Sequence, residues 1–232
     1  MNQLGEKINI KLKMLLEREV HVNAIKRKFG FTSMQKIFKE IRRRKVEINK
    51  LRALEVFGGR GYFHTIDYAS QVGSLEVWEF LPECAKYLRF NLPKAEIKIT
   101  NSYNEIKNIT KKYDLIVVDT PICISVSGHY EHFGLFPDIF GITNDFCILI
   151  LNLLPYFDDE IFKIHPELFD NKHLEIRKSF YKTEDAKNIP IDKMVMTYKQ
   201  LLDLNGYEIE WFFVEQRNVF CYYLVLAIKK VS

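Results

Sequence analysis

Residues Leu54–Gly61 read LEVFGGRG, and an apolar run, Ala53–Phe57, leads into them. An apolar strand ends on an acid, Glu55, and a glycine turn, Gly58, Gly59 and Gly61, follows at once. Only a backbone without β-carbons turns so tightly and lets a ligand approach its N–H groups. A dinucleotide fingerprint, G-x-G-x-x-G, fails here, because counting from Gly59 its third glycine would be His64. A phosphate-gripping loop needs a closing Gly-Lys-Ser/Thr, and this stretch has none. An acid ahead of a glycine turn, with neither phosphate signature, suits a nucleoside ligand that carries no phosphate.

Working outward, strands and helices alternate from Arg52 to the C-terminus. Strand patterns fall at Ala53–Phe57, Ser74–Glu79, Ala95–Thr100, Tyr113–Asp119 and Asp145–Leu154, with a helix predicted over Pro82–Leu92. That helix has Cys84, Tyr87, Leu88 and Asn91 as its inward candidates. Tyr113–Asp119 (YDLIVVD) is apolar throughout its middle, as a strand buried on both faces must be. Asp192–Leu204 reads as a helix stopped by Asn205-Gly206, and Tyr207–Val214 and Val219–Lys229 read as an antiparallel hairpin. Alternation of this kind predicts an α/β domain with a mostly parallel sheet.

These residues resemble the class I S-adenosylmethionine-dependent methyltransferases, whose first motif is an acid followed by a G-x-G turn. Phe57 stands where the commonest form has its first glycine, and a branch of the family that modifies ribosomal RNA also carries Phe there. The resemblance covers Arg52 to the C-terminus. It implies a seven-stranded, mostly parallel, doubly wound sheet closed by an antiparallel hairpin, with S-adenosylmethionine as cofactor. It also assigns residues. Glu55, Phe57, Gly58, Gly59 and Gly61 form the cofactor turn. Glu79, 24 residues after Glu55, matches the acid that accepts from the ribose hydroxyls. Phe80 follows where the family stacks an apolar side chain on adenine, and Asn101-Ser102 replaces its usual Gly-Asp. Asp119-Thr120-Pro121-Ile122 stands where amino-group methyltransferases of nucleic acids carry Asn/Asp-Pro-Pro and an aromatic ring. The ring is missing, which argues against an exocyclic base amine as acceptor.

Cys123–Gly141 is expected to line the substrate side, since ligands bind beyond the carboxyl ends of the strands. His129 and His132 are its candidate general bases, beside Asp119. Their i, i+3 spacing would also let them share a helix face as metal ligands with Asp119, a reading weighed and set below catalysis; no metal is assigned. Pro155–Pro190 is a long, mixed-charge insertion rich in aromatics, read as a lid or as a contact in a homodimer.

The 232 residues suffice for one sizeable core. The longest apolar run, Phe146–Leu151, is too short to cross a bilayer, so no membrane role is expected. Four scattered cysteines suggest reduced thiols and a cytoplasmic setting. Charge is uneven: residues 1–50 hold 14 of the 34 Lys+Arg and 5 of the 30 Asp+Glu. This predicts a basic helical extension, residues 1–50, ahead of a body at 51–232 carrying the insertion at about 156–190. Thr32 or Ser33 caps a helix to about Arg44 whose core face is Met34, Ile37, Phe38 and Ile41.

The expected reaction is in-line methyl transfer to an O or N nucleophile of a small molecule or sugar. Three other readings stand beside it. One is methylation of RNA or DNA held by the basic extension. Another is aminopropyl transfer, which would need Asp119 and Glu131 for a polyamine. The third is a catalytically silent binding subunit of the same fold.

Overall fold

The computed structural model describes residues 22–119, 131–157, 161, 163, 166, 170–218 and 220–231. Its strands are β1 (Arg52–Val56), β2 (Ser74–Glu79), β3 (Glu96–Ile99), β4 (Tyr113–Val118), β5 (Thr143–Leu153), β6 (Tyr207–Gln216) and β7 (Tyr222–Lys230). Its helices of seven residues or more include α1 (Ser33–Arg43), α2 (Ala85–Asn91), α3 (Ser102–Asn108), α4 (Asn171–Tyr181) and α5 (Ile191–Leu204).

The seven strands form one sheet in the order β3-β2-β1-β4-β5-β7-β6. β1 pairs in parallel with β2 and β4, and β4 with β5; β7 then runs antiparallel between β5 and β6. This is the expected seven-stranded, mostly parallel sheet with its antiparallel hairpin. The chain leaves β1 toward β2 on one side and returns to β4 on the other, so a crevice opens beyond the carboxyl ends of β1 and β4.

Two cores cover the sheet. Leu54, Val56, Ile116, Val118, Leu149 and Leu151 face one, which is closed by Tyr103 and Ile106 of α3 and Met194, Tyr198 and Leu202 of α5. Ala53, Leu115, Val117, Ile148, Ile150 and Val225 face the other, closed by α1 and α2. Met34, Ile37, Phe38 and Ile41 of α1 are fully buried, as their spacing predicts. Thr32 caps α1 in a reciprocal box with Gln35. α1 is therefore bonded into the same core as β1.

Between Pro82 and Asn91 the predicted single helix is a 3₁₀ turn, Pro82–Cys84, running into α2. So short a helix buries one stripe, Cys84, Ala85 and Leu88, continued by Leu92. Tyr87, an inward candidate from its spacing, is instead exposed, and Asn91 bonds the carbonyl of Arg60 (2.8 Å).

Candidate active site at the carboxyl edge of the sheet

β1 is followed at once by Phe57, whose φ of 66° lies in the left-handed region. A side chain there costs about 1–3 kcal/mol and persists only where its surroundings hold it. Here the ring packs against Tyr103 at 5.6 Å, which secures the conformation a glycine would adopt freely. The next glycines serve different ends. A Cβ on Gly58 would collide with Val77 Cγ1, and one on Gly61 would press on Leu92 and Leu88, so both exist for packing. A Cβ on Gly59 (φ +55°) would meet nothing within 4 Å, so this residue alone of the three faces open space.

Glu79, at the end of β2, closes the turn. Its carboxylate accepts from the Gly59 N–H (2.6 Å) and the Leu81 N–H (2.8 Å). Two backbone bonds leave about two of its acceptor positions for a guest. Phe80 stands exposed beside it. Asn101 spends its side-chain oxygen on the Tyr103 N–H as the N-cap of α3 (3.0 Å), and Ser102 is buried in the first turn of that helix.

Glu55 lies beneath the turn rather than on its open side. It is buried, it accepts from the Tyr68 hydroxyl, and burial followed by the charge of Asp119 holds its carboxyl well above the usual range. Asp119, beyond β4, stays ionised. Although burial opposes its charge, Arg217 from the β6–β7 turn outweighs that and holds it below the usual range. Arg217 Nε is 3.2 Å from Asp119 Oδ1 but gives its N–H to the Tyr223 oxygen (3.1 Å). Tyr223 in turn donates to Asp119 Oδ2 (3.1 Å).

His64, from the loop after the glycine turn, completes the group. Its Nε2 is 3.8 Å from Asp119 Oδ2 and its ring meets Tyr223 edge-on. It is buried, yet among the described residues neither ring nitrogen has a hydrogen-bond partner, while Asp119 Oδ1 has the Arg217 charge beside it. Buried polar atoms are almost always bonded, so the two ring nitrogens left open beside an ion-paired carboxylate mark a place that a polar guest would complete. Burial first, then Arg217, pushes the imidazole down to about 3, leaving it neutral, with one donor and one acceptor nitrogen.

Sequence reasoning named His129 and His132 as bases instead. His129 lies outside the described residues. His132 belongs to the other face of the sheet, where its Nε2 meets the Tyr198 hydroxyl (2.6 Å) among Phe133 and Phe136. Burial pushes it down to about 4. Glu131 is likewise enclosed, paired with Arg177 and bonded to His173 (2.9 Å). Asp119 and Glu131, the two acids a polyamine would need, therefore each face an arginine. His64 was visible in the sequence only as the residue spoiling a dinucleotide fingerprint.

The buried titratable groups set a pH dependence. Unfolding at about pH 5–6 takes up one proton each at His64 and His132, which are neutral when folded, and releases one from Glu55, which is protonated when folded. The net uptake is one proton, so stability should fall as pH drops through this window, by about 1.4 kcal/mol per unit. In Glu55→Gln the offsetting release is gone, and urea melts should show the slope double to about 2.7 kcal/mol per unit. An unchanged slope would remove Glu55 from this balance.

No protein-family model and no curated protein matches the chain. Solved structures do. Magnesium protoporphyrin IX methyltransferase from Synechocystis PCC 6803, solved with SAH bound, superposes with a TM-score of 0.53 at 11% identity, over 85% of this chain and 81% of that one. A putative RNA methyltransferase from Pyrococcus horikoshii superposes with a TM-score of 0.51 at 9% identity, over 86% and 83%. The fold is that of the class I S-adenosylmethionine-dependent methyltransferases. Among the described residues no helix is long and apolar enough to cross a membrane.

Proposed function

We propose that the protein is an S-adenosylmethionine-dependent methyltransferase acting on an O–H or N–H nucleophile. The observation that carries the reading is the pairing of Gly59, open to space, with the Glu79 carboxylate at the carboxyl edge of this sheet. Glu79 would accept from the ribose hydroxyls, Gly59 would let the nucleoside approach the backbone, and Phe80 would cover the base. When bound, the cofactor supplies a methyl group already activated on a sulfonium, so the protein has mainly to align the acceptor.

The acceptor belongs at His64 and Asp119. Neutral His64 would accept a hydrogen bond from the nucleophile and aim the nucleophile's lone pair at the methyl group, beside the Asp119 carboxylate 3.8 Å away, and the proton would leave to water once the methyl group has been transferred. Arg217 and Tyr223 hold that carboxylate in place. A small molecule or sugar fits so enclosed a pair. A polynucleotide acceptor is favoured by one separate observation, the exposed face of α2.

Calorimetric titration tests the cofactor. S-adenosylmethionine and S-adenosylhomocysteine should bind in the micromolar range and NAD should not. If neither sulfur nucleoside binds, the enzyme reading fails and a silent subunit of the same fold takes its place.

A further inference from the structure

We infer that the outward face of α2 and the adjoining glycine turn form a docking surface for single-stranded RNA. Used by a methyltransferase, this surface would supply the substrate class, and to that extent the inference rests on the proposed function.

Phe90 is 85% exposed and Tyr87 36%, on a helix whose remaining outward residues are Lys86 and Arg89. Arg60, from the glycine turn, lies over the Tyr87 ring at 4.8 Å, and Lys86 approaches the same ring at 4.8 Å. Lys94 follows, also exposed, and Glu83 is the acid at the helix's leading edge. Tyr87 and Phe90 stand three residues apart and so are neighbours on one helix face, which makes the two rings a patch rather than scattered side chains. Rings interleaved with cations are the composition that stacks bases and tracks phosphates.

The cations of this face differ from those of the basic N-terminal segment. There, Arg27 pairs with Asp67, Lys36 with Glu215, and Arg43 and Arg44 with Glu40, while Arg44 also covers Trp211. Those four charges are engaged within the fold. Among the described residues Arg60, Lys86, Arg89 and Lys94 make no such ion pair, so phosphates would compete only with the Arg60–Tyr62 contact and the unpaired Glu83 at the edge. The face is also held in register with the cofactor turn, because Asn91 bonds the Arg60 carbonyl.

Unpaired bases are required, since rings inside a duplex offer no face to Tyr87 or Phe90. Unpaired bases stacked on aromatic and arginine side chains are the usual mode of RNA recognition, so RNA is taken as the occupant, and the DNA arm of the test below decides between the two.

The test is fluorescence anisotropy of the whole protein with a labelled single-stranded RNA of mixed sequence, alongside single-stranded DNA and duplex RNA of the same sequence. S-adenosylhomocysteine binding is measured in parallel. Single-stranded RNA should bind best. Three or four phosphate contacts predict an affinity loss of roughly twenty- to fifty-fold when salt rises about fourfold. Tyr87→Ala and Phe90→Ala should each weaken RNA binding about tenfold, near the lower end of the stacking range, and K86E with R89E should weaken it further. All four positions are exposed, so the variants should fold, and their S-adenosylhomocysteine binding should match the parent. Tighter binding of DNA or duplex, or RNA binding indifferent to Tyr87 and Phe90, overturns the inference. If S-adenosylhomocysteine binds while RNA does not, the docking surface fails and the methyltransferase reading stands. If RNA binds the rings and S-adenosylhomocysteine does not bind at all, the surface stands and the enzyme reading fails.

Discussion

Glu79→Ala should weaken binding of S-adenosylhomocysteine by at least about a hundredfold, on the basis that each hydrogen bond to a charged group contributes about 1.5–3 kcal/mol. Two such bonds to ribose hydroxyls are at stake, because the carboxylate already gives one oxygen to the Gly59 N–H and one to the Leu81 N–H and has about two positions left. The substitution also frees those two N–H groups. They lie at the edge of the crevice, where water replaces the lost acceptor, so the melting temperature should fall by only a few degrees. Glu79→Gln removes the charge while keeping the shape of the side chain. Its single amide oxygen can serve one N–H of the turn, whereas its NH₂ faces the other, donor against donor. Binding by the glutamine variant should therefore fall as far as in the alanine variant, with the fold intact. Calorimetry on both variants, with thermal melts as the control, decides the matter. Affinity within a few fold of the parent would take Glu79 out of the cofactor site.

The places of Glu55 and Glu79 on β1 and β2, and of Gly59 just after β1, were legible because a strand announces itself by two-residue periodicity or by an unbroken apolar run. The α1 core face was legible for the same reason, its four apolar residues repeating at helical intervals. Glu55 shows the limit of such reading. Its place after an apolar run is right, but alternation along β1 turns its side chain down onto Tyr68, into the core shared with α1. The His64–Asp119 pair was hidden in another way. Its members are 55 residues apart and meet only because the sheet order sets β4 beside β1. Arg217 comes from still further away, brought in by the antiparallel return of β7. His132 was conspicuous in a histidine-rich stretch, yet the fold uses it for packing against Tyr198. Composition also concealed Arg177. A mixed-charge insertion reads as solvated, and nothing local indicates that its one arginine is fully enclosed.

That enclosure makes Arg177→Met the substitution with the largest expected effect on stability. Arg177 is 0% exposed. It pairs with Glu131, donates to the carbonyls of Ala186 (2.9 Å) and Leu154 (2.7 Å), and lies over the Phe157 ring at 4.4 Å. These partners tie α4 to the end of β5, to the approach to α5 and to the residue ahead of His132. Methionine keeps much of the packed stem but leaves the Glu131 carboxylate buried without its cation. Breaking a buried pair from one side costs about 3–5 kcal/mol. For a chain of this size that is a fall in melting temperature of roughly 10 °C. Removing both charges is a different matter, because no ion is then left in the core. The double variant Arg177→Met, Glu131→Gln should recover a substantial part of the loss, held back by the two carbonyls and by His173, which bonds Glu131 at 2.9 Å. A urea double-mutant cycle measures this coupling directly. If the double variant is no more stable than Arg177→Met alone, the carbonyl bonds and the contact with Phe157, rather than the ion pair, hold α4 in place.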